Sequence, residues 1–191
     1  MDAADVVERL QKGDKSIIDQ LVREYSDHLF SASLGFGLNR EDALELVQNV
    51  WLTFTQVGIR FEGRSSIRTF PFGILYNKAK DFRRSQAKYQ SDQSLDEMFE
   101  NRFDDTGHWL SKPLTPEKFL ELGETRAILE ACLDGLPDTQ RRVFILKEVS
   151  GHSSEDICNI SGVTATNLGV LLFRARARLR ECIERKGEVS A

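Results

Sequence analysis

LPDTQRRVFILKEVSGHSSEDICNISGVTATNLGVLLFRARARLR, residues 136–180, is the stretch that decides the fold. Pro137 suits a first helical turn, because its missing N–H would be unpaired there in any case. The helix it opens takes its apolar side from Val143, Phe144 and Leu146 and ends at Gly151. Ser153, with Asp156 three residues on, has the spacing of a capping box. A second, short helix therefore begins there, turns Ile157 and Ile160 inward and stops at Gly162. Thr164 is placed to cap a third helix, in which Leu168, Leu171, Leu172, Ala175 and Leu179 recur at helical spacing as a buried stripe. The opposite stripe holds Thr166, Asn167, Gly169, Val170, Phe173, Arg174 and Arg176.

A short helix, a tight glycine turn and a longer helix with small polar groups near its start make a helix-turn-helix of the kind that enters the DNA major groove. Arg174 and Arg176 suit phosphates or guanine edges, Asn167 suits a base edge, and Val170 or Phe173 suits a thymine methyl group. A plain helical hairpin accounts for the leucine stripe equally well, but it gives no reason for Val170 and Phe173 to stand among cations.

Outward from this stretch, Gly and Pro are scarce inside the apolar-periodic segments and no two-residue alternation persists, so the whole chain reads as all-α. The N-terminal half carries helices near Val6 to Gln11, Ser16 to Leu34, Arg40 to Val57 and Ile67 to Arg84. The second half runs from about Glu117 to Lys186. Between them, Gln90 to Pro116 mixes Ser, Asp, Gln, Gly and Pro and marks a linker, with Phe99, Phe103 and Trp109 as residues by which it docks.

Charge is segregated along the chain. The overall net charge is -4, yet Lys78 to Lys88 and Arg174 to Lys186 are each locally +4, and Ser91 to Glu124 is -6. Two basic patches joined by an acidic stretch suggest two separate contacts with a polyanion, since each neutralised phosphate releases counterions, although on composition alone a pair of solvated helix faces accounts for them equally well.

In the N-terminal half, the helix Arg40 to Val57 is expected to bury Leu44, Val47, Trp51 and Phe54. Glu45, Gln48, Asn49 and Leu52 fall on a second stripe, and a second mixed face signals a partner. After it, Phe61 to Thr69 is a loop leading into a helix with Phe70, Phe72, Tyr76, Asn77, Asp81, Phe82, Arg83 and Arg84. Aromatic rings interleaved with cations suit single-stranded DNA, where bases stack on rings and phosphates meet guanidinium groups. Some of those rings are equally expected in the core.

These residues together resemble the extracytoplasmic-function branch of the sigma-70 sigma factors, over nearly the whole chain. Asp42-Ala-Leu-Glu-Leu-Val-Gln-Asn-Val-Trp-Leu52 is similar to the family's polymerase-binding helix, and Phe61 to Arg84 is similar to its promoter-melting loop and the helix that follows. Leu133 to Phe144 and Asn167 to Arg180 are similar to its domain for the minus 35 element. The resemblance implies two small helical domains joined by a flexible acidic linker: region 2 at 1–89, the linker at 90–116 and a region 4 helix-turn-helix at 117–191.

It further implies that Asp42, Glu45, Gln48, Asn49 and Leu52 grip the clamp helices of core RNA polymerase. Phe61, Gly63, Arg64, Ser65, Ser66 and Ile67, with Asn77, Lys80, Arg83 and Arg84, would capture the single-stranded minus 10 element. A preformed pocket can offset the few kcal/mol that an extruded base costs, so binding energy opens the duplex without ATP. Thr164, Thr166, Asn167, Gly169, Val170, Phe173, Arg174 and Arg176 would read the duplex minus 35 element. The family works under an anti-sigma factor, often membrane-bound. Two departures stand out: Phe70-Pro71 where the family has Trp-Leu, which places the helix start close to Phe70, and Gly169-Val170 where many members carry polar or basic groups, so promoter sequence does not transfer.

Other function classes fare worse. A duplex-binding repressor or activator has no need of the segment Phe61 to Arg84. His28, His108 and His152 are scattered, no His/Cys/carboxylate cluster has metal-ligand spacing, and no glycine-rich phosphate loop is present. The chain is therefore expected not to be an enzyme and to use no cofactor and no small-molecule substrate. Without a bilayer-length apolar run or a leader, it is expected in the cytoplasm. Cys132, Cys158 and Cys182 are an odd, widely spaced set, expected as three core thiols.

Overall fold

A computed structural model describes residues 3–87 and 125–189. The linker at 90–116, with the expected docking of Phe99, Phe103 and Trp109, lies outside them, as do the side chains of Arg83 and Arg84. Among the described residues every regular element is helical.

The N-terminal half holds α1 (Ala3–Gln11), α2 (Lys15–Gly35), α3 (Arg40–Val57) and α4 (Thr69–Ala87), with a short 3-10 turn, Gly58–Arg60, after α3. Each start has a local cause. Asp14 caps α2 by accepting from the Ser16 N–H at 2.8 Å, and Asn39 caps α3 by accepting from the Asp42 N–H at 2.8 Å. The Ser66 hydroxyl accepts from the Thr69 N–H at 3.1 Å, and Pro71 falls inside the first turn of α4, where its missing donor does no harm.

Ile17, Leu21, Tyr25, Leu29 and Ala32 form the buried stripe of α2, against Leu46, Val47, Val50, Trp51 and Phe54 of α3. Trp51 Nε1 donates to the Ser26 hydroxyl at 3.0 Å, which satisfies a polar handle at the edge of this packing. The expectation for Leu44 is corrected: it is 47% exposed, and Ala43 and Leu46 take the inward positions. The turn of the helix carries Leu44 around to the outer stripe with Glu45 and Gln48.

The C-terminal half holds α5 (Thr125–Asp134), α6 (Asp138–Phe144), α7 (Ser154–Ser161) and α8 (Ala165–Val189). α6 passes into a π-helical turn over Ile145–Val149, closed by the Ser150 N–H on the Ile145 carbonyl at 2.9 Å. The Asp156 N–H donates to the Ser153 hydroxyl at 3.0 Å, and Gly162 ends α7 in the left-handed conformation at φ 73°. The Asn167 N–H donates to the Thr164 hydroxyl at 3.3 Å and starts α8.

A second small apolar cluster joins Cys132 and Leu136 to Ala175 and Leu179. Within it Cys132 and Cys182 are disulfide-bonded, their Cα atoms 5.7 Å apart, while Cys158 is a free thiol. The expectation of three core thiols is thereby corrected. A separation of 50 residues in sequence conceals that α5 lies alongside the C-terminal part of α8.

The two halves lie against each other, and the main core is continuous across them: Phe72, Leu75, Tyr76 and Ala79 of α4 belong to the same cluster as Val143, Ile145, Leu146, Ile157 and Ile160. α4 rests on α7, and the C-terminal end of α2 rests on the π turn.

Candidate polymerase and nucleic-acid interfaces

Three surfaces carry the residues singled out in the sequence. On α3, Glu45, Gln48 and Leu52 are exposed and Asp42 and Asn49 half-buried. Leu44, at 47%, and Leu52, at 62%, add apolar area to that stripe, so the face is more hydrophobic than the sequence suggested. Large exposed apolar groups among polar neighbours on one helix are what a protein partner buries.

The second surface is the loop between α3 and α4. Gly63, at φ 71°, adopts a conformation that other residues avoid, and a Cβ there would lie 3.1 Å from Val7 Cγ2 of α1. Gln11 Nε2 donates to the Phe61 carbonyl at 3.1 Å. Loop and α1 together line a depression of about 390 Å³, with Val7, Glu8 and Gln11 on one side and Gly63, Ser65, Ser66 and Ile67 on the other. The α1 wall was missed in the sequence, because nothing in its amphipathic pattern marks contact with a loop 50 residues on.

Phe61 is buried and packs on Phe70, ring centroids 4.9 Å apart. Phe72 and Tyr76 are buried as well, at 0% and 4% exposure. The reading of these aromatics as stacking platforms for bases is corrected to that extent: they form core, and an apolar ring on a half-buried helix goes there first. Asn77 and Lys80 are exposed on the outer side of α4, and Arg64 is exposed in the loop, ion-paired with Glu62 at 2.6 Å.

The third surface is α8. Thr166, Asn167, Gly169, Val170, Phe173, Arg174 and Arg176 are all exposed along one side, opposite buried Leu168, Leu172, Ala175 and Leu179, and Thr164, also exposed, caps the start of the helix. Ala177 is buried too and was not in the expected stripe. Val170 and Phe173, at 42% and 43%, project with Arg174 from the helix beyond Gly162. Arg176 Nη2 meets Glu148 Oε1 at 2.6 Å, an exposed ion pair of the sort worth little in water, so its exchange for a phosphate costs little.

A fourth group was not foreseen: polar contacts that fasten the C-terminal half onto the loop between α3 and α4, onto α4 and onto the end of α2. The Arg68 guanidinium donates to the Ser150 carbonyl. The Thr69 hydroxyl donates to Asp156 Oδ1 at 2.7 Å. His152 lies edge-on to the Phe72 ring, centroids 4.4 Å apart, and Arg142 sits 5.1 Å from the Tyr76 ring centroid. Arg141 Nε donates to the Gly35 carbonyl at 2.6 Å and its Nη1 to Asp134 at 2.6 Å.

Burial, and then the charge of Arg68, push His152 down to about 4, with Asp156 acting the other way. Burial acts to raise Asp156, but its hydrogen bonds with Ser153 and Thr69 outweigh that and hold it below the usual carboxylate value. Among the described residues no group of three or more His, Cys, Asp and Glu is arranged to hold a metal, and no single helix is long and apolar enough to cross a membrane.

Comparison with known proteins follows the same division. Residues 21–89 match the family Sigma-70 region 2, and residues 126–179 match Sigma-70, region 4. The chain is 32% identical over 157 residues to a probable RNA polymerase sigma factor of Haemophilus influenzae, covering 78% of this chain and 81% of that one. It is 27% identical over 171 residues to the ECF RNA polymerase sigma-E factor of Escherichia coli K12, covering 90% and 88%. Among solved structures, the sigma factor RpoE bound to the anti-sigma factor NepR from Bartonella quintana has the same fold, with TM-score 0.64, 23% identity, and 87% and 96% of the two chains covered. CnrH in complex with the cytosolic domain of CnrY also shares it, with TM-score 0.68, 20% identity, and 96% and 99% covered. The chain belongs to the sigma-70 family of RNA polymerase sigma factors, in its extracytoplasmic-function branch.

Proposed function

We propose that this sigma factor brings core RNA polymerase to its promoters by three separable contacts, with residues 1–89 acting as region 2, 90–116 as the linker and 117–191 as region 4. The stripe of Asp42, Glu45, Gln48, Asn49 and Leu52, widened by Leu44, docks on the polymerase clamp. Its pairing of exposed leucines with short polar groups supports this assignment.

The exposed side of α8 reads the duplex minus 35 element. Arg174 and Arg176 hold phosphates or guanine edges, Asn167 reaches a base edge, and Val170 and Phe173 supply apolar contact for thymine methyls. The loop from Phe61 to Ile67 and the outer side of α4, with Asn77, Lys80, Arg83 and Arg84, take the displaced minus 10 strand. The depression between loop and α1 is roomy enough to receive a base, and Phe61 supports the loop from beneath. Strand capture stabilises the open duplex, so melting draws on binding energy alone. No catalytic group takes part, and the protein acts in the cytoplasm, where polymerase and promoter are.

An anti-sigma factor is the expected regulator. Both structural neighbours named above were solved with a bound partner, NepR being named an anti-sigma factor and CnrY contributing a cytosolic domain.

The observation that carries this reading is α8, which sets seven exposed residues, Thr166, Asn167, Gly169, Val170, Phe173, Arg174 and Arg176, along one side of a helix entered through a glycine turn. Run-off transcription with core polymerase on genomic fragments tests it. Defined transcripts that depend on the added chain are expected. Polymerase that gains no promoter, or closed complexes that never open, would refute the assignment.

A further inference from the structure

We propose that the Cys132–Cys182 bridge is a reversible redox latch on the reading helix: closed, it seats the cationic stretch of α8 for the upstream duplex, and its reduction weakens that contact. The proposal rests on the duplex-reading role and the cytoplasmic placement given above and adds a control to them. A disulfide in a reducing compartment is as a rule transient, and serves either catalysis or redox sensing. The protein is read above as no enzyme, which leaves sensing.

α5 and α8 meet through a thin packing. Its fully buried members are Cys132 and Leu136 from one side and Ala175 and Leu179 from the other, with Ile128 and Ile183 among the partly buried residues around them. A ten-residue helix is marginal in water by itself, because its nucleation is costly. α5 therefore depends on this packing and on the bridge that crosses it.

The bridge acts on one part of the reading helix. Ala175 lies between Arg174 and Arg176, and Leu179 follows one turn on, so α5 backs the stretch of α8 that carries both arginines. Leu168 and Leu172, behind Thr166 and Asn167, belong instead to the main core. Opening the bridge thus loosens the cations and spares the start of the helix. Phosphate contacts hold a reading helix in register, so binding weakens when their backing gives way.

The two sulfurs are unequally placed. Cys132 is 2% exposed and Cys182 half-buried, so a thiol reagent meets Cys182 first. Arg178 and Lys186 stand four positions before and after Cys182, and cations at that spacing stabilise the thiolate that exchange requires. A dithiol reductant attacks Cys182 Sγ as its thiolate. The S–S bond breaks, and Cys132 leaves with the electron pair and takes up a proton. The second thiol of the reductant then displaces Cys182, which gives two protein thiols and the oxidised reductant. Hydrogen peroxide reverses the change: it oxidises Cys182 to the sulfenic acid with release of one water, and the Cys132 thiol displaces a second water to restore the bridge.

The full chain, oxidised with hydrogen peroxide or reduced with dithiothreitol and freed of reagent under argon, is bound to core polymerase and titrated onto a promoter found by run-off. The reduced factor is expected to bind about tenfold more weakly at low salt, as two weakened phosphate contacts imply. Its salt slope should be shallower by about 1 to 2, since each contact contributes roughly 0.9. Cys132→Ser should behave as the reduced protein under both treatments, and Cys158→Ser should respond as the wild type does. In glutathione buffers spanning the ratios of living cytoplasm, the bridge should pass from closed to open. Hydrogen exchange should quicken on reduction in α5 and in α8 beyond Arg174, and not from Leu168 to Leu172.

Equal affinities and slopes for the two forms overturn the proposal, as does a response that survives Cys132→Ser, a bridge that no glutathione buffer opens, or a reduction that melts the whole C-terminal half. Should Cys132→Ser fail to fold, Cys182→Ser takes its place, and reduction of the wild type decides in any case. If no promoter emerges from run-off, the functional assignment fails instead, and hydrogen exchange in the two forms still judges the latch.

Discussion

Acidification should loosen the contact between the two halves, and His152 sets the range over which it does so. The group is held at about 4 in the closed arrangement, by burial first and by Arg68 second, with Asp156 opposing. Once the halves part, its ring faces water and returns to the ordinary value of about 6.5. Above pH 6.5 it is neutral in both forms, and the closed form keeps its full stability. As pH falls below 6.5 the open form takes up a proton that the closed form refuses, so closure weakens until both are protonated near pH 4.

At pH 5.5 the open form binds a proton with a free-energy advantage of roughly 1.4 kcal/mol, about tenfold in the equilibrium, and solvent screening at the edge of the joint brings this nearer to several-fold. Asp156, held below the usual carboxylate range, stays charged throughout this interval and adds nothing to the slope. Scattering of the full chain between pH 8 and 5.5 should show the radius of gyration rising as pH falls. In His152→Phe, which keeps a ring on Phe72 and removes the titration, the rise should vanish. A wild type indifferent to pH, or a variant with the same slope, refutes the reasoning.

Other outcomes follow from single contacts. Oxidised protein should present one titratable thiol, Cys158, and reduced protein three. Closing a loop of about 50 residues stabilises by up to roughly 4 kcal/mol on the chain-entropy account, so reduction or Cys182→Ser should lower the melting temperature while Cys158→Ser leaves it unmoved. Ser153→Ala removes the cap of α7 and should cost about 1 kcal/mol in chemical denaturation. Leu52→Asp, at a position 62% exposed, should weaken pull-down by core polymerase without shifting the melting temperature. Arg174→Ala should weaken binding to the upstream duplex by about 1–3 kcal/mol, and Asn77→Ala should slow melting read by permanganate footprinting, each with core binding intact.

What the sequence disclosed, and what it withheld, divides along one physical line. Capping residues and glycine stops act within a few positions of themselves, so the boundaries at Ser153, Gly162 and Thr164 could be read directly, as could the exposed stripe of α8. Periodicity also shows that a helix has a buried face, but it is silent on what covers that face. Phe72 and Tyr76 recur on α4 at helical spacing whether they lie under DNA bases, under α3 or under α7, and only the three-dimensional arrangement assigns them to the joint with His152 and Arg142. Leu44 and the Cys132–Cys182 bridge escaped for the same reason: the first depends on the angle at which α3 meets α2, the second on α5 lying alongside α8.

The contacts between the two halves are the extreme case, because their members are charged or polar residues that sequence logic sends to the surface. Arg141 and Arg142 follow Pro137 in a helix whose apolar groups come later, and nothing local distinguishes an arginine bound for solvent from one that will reach the Gly35 carbonyl.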